Sequence, residues 1–320
     1  MNDWVKGARK VVHVCAAVRR GERTLILTDP DMDPRVALSL QQAAIEAGSE
    51  AIVTTFVRHA ANDEPPRRVL NLMLNSDVIL TPTKVTMFYT NAKRKACENG
   101  ARFLAMTGTT LKVLSSGAVE ADFPKQKPLV ERLANRLTAA SEIFIRTAAG
   151  TNLVASLQGR KAVANTGLCR KRGDSCGVPD IEVYIAPVEV SVEGTAVIDG
   201  SISGIGRIRS PVKMKIRRGK VKTIDGASEA KMLRRIINRL DDDRVYQIAE
   251  IGIGLNPKAK LCGAIIEDES ALGTAHLALG DNSRFGGRNP ASTHIDNVFK
   301  KPIIELDGEI LQLPAGMIRR

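Results

Sequence analysis

Five acidic and histidine side chains in the second half of the chain are spaced so that they could bind metal ions together. They stand in the strand-like segments I-E-V-Y-I, E-I-G-I-G-L, H-L-A-L-G and T-H-I-D-N, and they are Glu182, Glu250, His276, His294 and Asp296. Successive residues of a strand point to opposite faces, so each of these side chains lies opposite the apolar residues of its own segment. A mixed set of carboxylates and imidazoles is typical of sites for zinc, manganese, cobalt or iron.

Small residues accompany two of these candidate ligands on their own face. Gly252 and Gly254 follow Glu250, and Ala278 and Gly280 follow the first histidine of the set. Such small neighbours leave room for an ion and a substrate. Three carboxylates and two histidines exceed the four ligands of a tetrahedral zinc ion. They suffice for two ions about 3.5–4 Å apart that share a bridging carboxylate.

The segments around these residues predict a β-rich domain. Apolar and alternating runs predict strands at 183–185, 195–198, 212–216, 248–253, 276–279 and 303–306. One helix is predicted over 229–240. The basic run at 207–222 alternates charged and apolar residues, which predicts a half-exposed hairpin with Gly219 near its turn. We therefore expect an α+β domain over 149–320 that carries the metal site and catalysis.

The first half of the chain predicts a different domain, over residues 1–148. Strands are predicted at 25–28, 51–56, 77–80, 103–106 and 143–145, and helices at 34–47, 67–74, 88–99 and 129–140. This alternation predicts a Rossmann-like α/β domain with a doubly wound parallel sheet. The first strand is followed by T-D-P-D-M-D-P, and neither G-x-G-x-x-G nor a P-loop sequence occurs, so no nucleotide-binding motif is present.

The composition of the 320-residue chain favours a globular protein with an aliphatic core, since 43% of residues are hydrophobic and only 3% are aromatic. The absence of a long apolar run and of a secretory signal, together with five scattered cysteines, predicts a cytoplasmic protein that does not bind membranes. The net charge of +12 supports a nucleic-acid-binding module as a further hypothesis. That hypothesis lacks an RNA-binding motif and aromatic residues for base stacking.

The chain resembles the thermophilic aminopeptidase family, the metallopeptidases similar to aminopeptidase T, and most closely the short proteins named leucyl-aminopeptidase-like. The resemblance rests on the segments at 90–110, 177–189, 249–261, 265–282 and 292–299. It implies that the family's metal ligands fall on the five residues Glu182, Glu250, His276, His294 and Asp296. The larger peptidases of the family usually have a tyrosine ligand seven residues after the first histidine, where this chain has Ser283.

The same scaffold is similar to that of the 2,5-dihydroxypyridine dioxygenases, which open a pyridine ring with iron and oxygen. In that family the position of Glu250 is a histidine, which joins the H-x-D pair in a two-histidine-one-carboxylate site. This chain departs from that pattern at Glu250. His276, His294 and Asp296 remain available as an alternative facial triad.

The residues and the resemblance together predict a metal-dependent hydrolase of amide or peptide bonds, similar to an aminopeptidase. One or two divalent ions of zinc, cobalt or manganese would activate a water molecule, and Glu182 would accept its proton. The alternative is a ring-cleaving dioxygenase that uses Fe(II). Asp268 and Glu269 are expected to orient His276. The expected partners are a short-peptide or small-molecule substrate and a second copy of the chain in a homodimer.

Overall fold

The computed structural model describes residues 2–59 and 63–313; the last residues of the second expected domain, 314–320, lie outside the described residues. The helices are α1 Asp3–Lys10, α2 Pro34–Glu46, α3 Arg67–Leu74, α4 Asn91–Glu98, α5 Leu111–Ser115, α6 Phe123–Ala139, α7 Ser228–Arg239 and α8 Ile265–Asp268. Shorter helical turns of 3-10 or π type cover Val11–Cys15, Ala118–Glu120 and Asp243–Tyr246. Within the described ranges, no helix is long and apolar enough to cross a lipid bilayer.

The strands are numbered in chain order. They are β1 Arg23–Thr28, β2 Glu50–Thr55, β3 Val78–Thr81, β4 Arg102–Ala105, β5 Glu142–Arg146, β6 Asn152–Ser156, β7 Val163–Asn165, β8 Ser175–Gly177, β9 Glu182–Ile185, β10 Glu193–Ile198, β11 Ser201–Ile202, β12 Gly206–Arg207, β13 Val212–Arg217, β14 Lys220–Asp225, β15 Ile248–Gly254, β16 Thr274–Gly280, β17 His294–Lys300, β18 Ile303–Leu306 and β19 Glu309–Ile310.

The chain forms two compact units, and each unit is built from two stretches of sequence. The first unit contains the chain up to Gln126 together with Asn165–Ile181, and the second contains Lys127–Ala164 and the chain from Glu182 onward. This differs from the single division expected near residue 148. The chain changes unit inside α6, and it returns to the first unit because the stretch 165–181 supplies a strand to that unit's sheet.

The first unit is a parallel α/β unit. Its five strands have the order β2-β1-β3-β4-β8, and all neighbouring pairs are parallel. Helices α3 and α4 bury apolar side chains such as Met73 and Ala96 in one core with Leu25 and Phe103 of the sheet. Helices α1, α2 and α5 form a separate group, which packs on β1 and β2 through α2. The predicted α/β class of this half is therefore confirmed.

One predicted strand of this half pairs in another sheet. The segment 143–145 lies in β5, which pairs antiparallel with β6 and β18 in the second unit. The expectation that it joins the parallel sheet is wrong because a tight turn, in which Thr147 N–H donates to the Thr151 carbonyl at 3.1 Å, folds β6 back onto β5. The fifth parallel strand is β8, which has no alternating apolar pattern of its own.

The second unit is rich in antiparallel strands, as predicted. Its two seven-stranded sheets have the orders β14-β13-β10-β6-β5-β18-β19 and β12-β11-β17-β16-β15-β9-β7. The basic hairpin is formed by β13 and β14, and its two turn residues, Arg218 and Gly219, both have positive φ, at 50° and 73°. This is the backbone that a two-residue hairpin turn requires. Val212, Met214 and Ile216 are buried while Lys213 and Lys215 between them are exposed, which confirms the half-exposed hairpin.

Candidate metal centre

All five candidate ligands lie on one face of four neighbouring strands, β9, β15, β16 and β17. Residues that pair directly across an antiparallel ladder point to the same face of the sheet. Each candidate ligand pairs across the ladder with a glycine or an alanine, and the pairs are Glu182 with Gly254, His276 with Gly252, Glu250 with Ala278, Asp296 with Ala278 and His294 with Gly280. These small residues let the ligand side chains and the neighbouring backbone approach the sheet closely.

A β-bulge in β15 turns Glu250 to this face. Ile248 pairs with Leu279 and Glu250 pairs with Ala278, so Ala249 is an extra residue in the ladder. Without the bulge, regular pairing would place Glu250 opposite Leu277, on the apolar face. Bulges commonly redirect a side chain next to a functional site, and this one brings the central carboxylate of the cluster into position.

Glu250 lies between the two histidines. Its Oε1 is 3.1 Å from His276 Nε2, and its Oε2 is 3.5 Å from His294 Nε2. His276 Nε2 is also 3.4 Å from Glu182 Oε2, and His294 Nε2 is 3.2 Å from Asp296 Oδ1. The ligand atoms thus form two groups, each within 4.8 Å, which are Glu182, Glu250 and His276, and Glu250, His294 and Asp296. Both groups share Glu250.

The charges of the cluster fit a divalent cation. Burial alone would lower the pKa of His276, but the hydrogen bond to Glu250 and the charges of Glu182 and Glu250 raise this pKa to about 9. Burial is likewise outweighed at His294, where the charge of Asp296 and the hydrogen bond to it raise the pKa to about 10. Two buried carboxylates and one partly buried carboxylate next to the histidines strongly favour nearby positive charge. This positive charge comes either from protons on the two imidazoles or from a metal ion.

Residues outside the predicted set hold the histidines in place. His294 Nδ1 donates to the Asp281 carbonyl at 2.8 Å, so Nε2 is the nitrogen that faces the carboxylates. The imidazole of His276 lies directly over Gly252, where an added Cβ would be 2.0 Å from Nε2. The Phe285 ring packs edge-to-face on His294 at 5.8 Å and on Tyr184 at 5.4 Å. No local sequence signal marks these contacts, because each depends on a neighbouring strand or loop.

Three further residues named from the sequence have other contacts. Ser283 Oγ donates to Asp281 Oδ1 at 2.7 Å, and Ser283 is in neither ligand group. The Asp268 carboxylate accepts the backbone N–H groups of Cys262 and Gly263, at 2.6 Å and 3.0 Å, so it shapes that loop. The expectation that it orients His276 is wrong, since among the described residues His276 Nδ1 has no hydrogen-bond partner.

Glu269, the other residue expected to orient His276, lies beside a different ligand. It offers a carboxylate oxygen within 4.8 Å of one of Glu182. Glu269 follows directly after α8, which explains why its position was not evident from a strand pattern.

Comparison with known proteins identifies the family. A profile of the family described as NicX, 2,5-dihydroxypyridine 5,6-dioxygenase, matches residues 3–313. The 2,5-dihydroxypyridine 5,6-dioxygenase of Pseudomonas putida KT2440 is 27% identical to this chain over 199 residues. That alignment covers 57% of this chain and 55% of the relative, so it spans about half of the relative's length.

Two solved structures share the fold. The structure of 2,5-dihydroxypyridine dioxygenase from Pseudomonas putida KT2440 has a TM-score of 0.83 at 21% identity, over 97% of this chain and 95% of that one. AmpT from Thermus thermophilus has a TM-score of 0.67 at 16% identity, over 97% and 96% of the two chains. Both resemblances inferred from the sequence are confirmed. Because the family profile covers nearly the whole sequence, this chain belongs to the 2,5-dihydroxypyridine 5,6-dioxygenase family.

Proposed function

We propose that this protein is a metal-dependent dioxygenase that opens the ring of a hydroxylated heteroaromatic compound such as 2,5-dihydroxypyridine. The observation that carries the proposal is the family match over residues 3–313, combined with a ligand group inside the matched region that is buried at one member and partly buried at the other two. That group contains Glu250, His294 and Asp296. The hydrolase expected from the sequence becomes the second candidate because the family match favours an oxygenase.

The two halves of the cluster would have different tasks in such an enzyme. Glu250, His294 and Asp296 would hold a ferrous ion, which when bound would bring the ring and dioxygen together and relay electrons from the ring, which is oxidised, to the oxygen, which is reduced. His276 lies on the other side of Glu250. Burial alone would lower the pKa of His276, but the hydrogen bond to Glu250 and the charges of Glu182 and Glu250 raise this pKa to about 9 in the metal-free protein. The Nε2 atom of His276 faces both carboxylates, at 3.1 Å from Glu250 Oε1 and 3.4 Å from Glu182 Oε2, so this imidazole would orient Glu250 towards the ion.

The surroundings of His294 favour a flat ring as substrate. Phe285 and Tyr184 are two of the few aromatic residues in a chain that is only 3% aromatic; Phe285 packs on this ligand, and Tyr184 packs on Phe285. Aromatic rings pack edge-to-face or offset on one another and gain about 0.5–1.5 kcal/mol beyond area burial. An aromatic substrate would make such contacts, whereas a peptide backbone would not.

Glu250 distinguishes this chain from the pattern to which the dioxygenase resemblance points, since that pattern has a histidine there. The group still has three ligands on one face, now with one imidazole and two carboxylates. The resemblance predicts that Glu250→His retains Fe(II)-dependent turnover, while Glu250→Ala loses it. Turnover in Glu250→Ala equal to that of the wild type would exclude Glu250 from the site.

A two-metal hydrolase of amide bonds is the second candidate, and one observation favours it. The two oxygens of Glu250 face different histidines, as expected of a carboxylate that bridges two ions. Two divalent ions in such a site lower the pKa of a water molecule and polarise a carbonyl group. Glu182 is the carboxylate that would accept the water's proton. The fold likeness to AmpT agrees with this candidate without deciding it.

The deciding experiment compares substrates, metals and oxygen in one design. Metal-free protein is loaded with Fe(II), Zn(II), Co(II) or Mn(II), then assayed with 2,5-dihydroxypyridine and with a panel of aminoacyl amides and dipeptides, in air and under anaerobiosis. We expect ring opening with stoichiometric oxygen uptake, only with Fe(II). Oxygen-independent amide hydrolysis with zinc, cobalt or manganese would replace this proposal by the second candidate. His294→Ala should abolish turnover, and His13→Ala, at an exposed histidine of the first unit, is the matched control.

A further inference from the structure

Ser203 makes an unusual set of contacts with one of the candidate ligands. It lies in the turn between β11 and β12. Its hydroxyl donates to Asp296 Oδ2 at 3.2 Å and accepts the backbone N–H of Asp296 at 3.1 Å. Its own backbone N–H donates to the Asp296 carbonyl at 2.9 Å. Three hydrogen bonds therefore join this serine to a single residue.

These bonds give the two carboxylate oxygens of Asp296 different partners. Oδ2 is held by Ser203, whereas Oδ1 faces His294 Nε2 at 3.2 Å. We propose that Ser203 is a positioning residue that presents Asp296 to the metal through Oδ1 alone. The inference rests on the metal centre of the proposed function, and it concerns how that centre is kept in shape.

A carboxylate that binds a metal through one oxygen occupies one coordination position, whereas a two-oxygen carboxylate occupies two. An oxygenase site must keep positions open for its substrate and for oxygen. By engaging Oδ2, Ser203 disfavours the rotation of Asp296 that would bring both oxygens to the ion. Hydrogen-bond partners of metal-ligating side chains typically contribute about 10–100-fold in metal affinity or activity.

The loop that carries Ser203 is held by contacts that do not involve its hydroxyl. Gly200 N–H donates to the Val298 carbonyl at 3.0 Å, and the Asp199 carboxylate accepts the Lys300 N–H at 2.9 Å. Ser201, two residues before Ser203, is fully buried, and among the described residues its hydroxyl makes no hydrogen bond to a candidate ligand. Removal of the Ser203 hydroxyl should therefore leave the loop in place. Ser203 is only partly buried, so a threonine methyl group can be accommodated.

The test measures metal affinity in the full-length protein and does not depend on turnover. Zn(II) affinity is determined by competition with a chromogenic chelator, and Fe(II) affinity is determined in the same way under anaerobiosis. The variants are Ser203→Ala, Ser203→Thr and, as a matched control in the same loop, Ser201→Ala. We expect about 10–100-fold weaker binding in Ser203→Ala, recovery towards the wild-type value in Ser203→Thr, and wild-type affinity in Ser201→Ala. The melting temperature of metal-free Ser203→Ala should stay close to that of the wild type.

The outcomes separate this inference from the proposed function. Equal metal affinity in Ser203→Ala and the wild type overturns the inference and leaves the proposed function standing. Weaker binding that threonine does not restore, or that Ser201→Ala reproduces, also overturns it, since the loop would then act as a whole. The inference is supported if metal binding is weakened in Ser203→Ala but not in Ser203→Thr or Ser201→Ala, even if the wild-type protein fails to open any ring. A wild-type protein that binds neither metal overturns both.

Discussion

At the scale of single residues, the candidate site depends as much on its small residues as on its charged ones. Every candidate ligand has glycine or alanine as at least one cross-strand partner, so five polar side chains fit together over one face of a sheet. Glu182, Glu250 and His276 are each at most 5% exposed. Buried charges of this kind need close partners, and the small neighbours allow the ligands to approach one another.

The first prediction concerns Gly252. A Cβ at this position would lie 2.0 Å from His276 Nε2 and 2.1 Å from its Cε1. Because the obstructing atoms belong to a side chain, Gly252→Ala should displace the imidazole and weaken metal binding by about 10–100-fold, with little loss of stability. Chelator competition and thermal melting check both effects. Unchanged metal affinity would mean that His276 neither binds the metal nor positions Glu250.

Gly254→Ala is the matched comparison for that variant. Its Cβ would meet backbone carbonyl oxygens, those of Ala271 at 2.3 Å and Glu269 at 2.6 Å. Backbone moves less readily than a ring, so we expect this variant to lower the free energy of unfolding by about 1–3 kcal/mol. The two substitutions should therefore differ: Gly252→Ala should mainly weaken metal binding, and Gly254→Ala should mainly lower the stability of the fold.

The second prediction concerns the protons carried by the two histidines of the cluster. In the metal-free protein the pKa values of His276 and His294 are raised from 6.5 to about 9 and about 10. Their contribution to stability is therefore full below about pH 6.5 and is lost as the pH rises through 9 and 10. At pH 7 both imidazoles of the metal-free protein carry a proton, which a metal must displace from each histidine that it binds. Metal affinity should accordingly rise with pH.

The number of protons released distinguishes the possible occupancies of the cluster. An ion held by Glu250, His294 and Asp296 alone should release about one proton at pH 7, and occupancy of both ligand groups should release about two. Calorimetric titration in buffers of different ionisation enthalpy measures this number. Metal binding without proton release would contradict the assignment of both histidines.

At the scale of elements, alternation along the chain predicted which face each ligand occupies, and the structure has His294 and Asp296 together on β17 as expected. The alternation of polar and apolar residues could not predict the register in which strands pair. The bulge at Ala249 and the pairing of β5 with β18 depend on contacts between distant segments. The contacts of Ser203 and Phe285 with the candidate ligands also arise between strands and loops, so the sequence could suggest the candidate ligands but not the residues that support them.

The third prediction concerns the basic hairpin of β13 and β14. Lys213, Lys215 and Arg217 are exposed on one side of β13, and the buried residues between them hold the hairpin to the unit. Such an exposed face is expected to be solvated. The protein should therefore bind DNA or RNA only at low salt, with a steep loss of affinity as salt rises.

Fluorescence anisotropy with labelled RNA at low and physiological salt checks this, using Lys213→Glu/Lys215→Glu as the comparison. That double variant should unfold with a free energy within about 1 kcal/mol of the wild type, since both side chains are exposed. Sub-micromolar RNA binding at physiological salt, lost in the double variant, would restore the nucleic-acid hypothesis.

At the scale of the whole molecule, the sequence predicted an α/β half and a β-rich half but not the way in which the chain divides between them. Composition changes near residue 148, where strands begin to dominate. The stretch 165–181 nevertheless belongs to the first unit, because β8 completes the parallel sheet through Leu104 of β4. A short strand between polar turns carries too little pattern to reveal its sheet, so a change in composition located the unit boundary only coarsely.

The last prediction uses this division. The five candidate ligands all belong to the second unit, on β9, β15, β16 and β17. A ligand that binds only the folded state stabilises it by about 2.7 kcal/mol at a concentration 100 times its Kd. Metal should therefore slow amide hydrogen exchange in these four strands, while local exchange in β1, β3 and β4 of the first unit should change little. Removal of the metal by a chelator should reverse the effect. Exchange is followed by mass spectrometry with and without Zn(II), and Asp296→Ala is the control that should lose the protection. Protection spread equally over both units, or the same protection in Asp296→Ala, would show that the ion binds elsewhere.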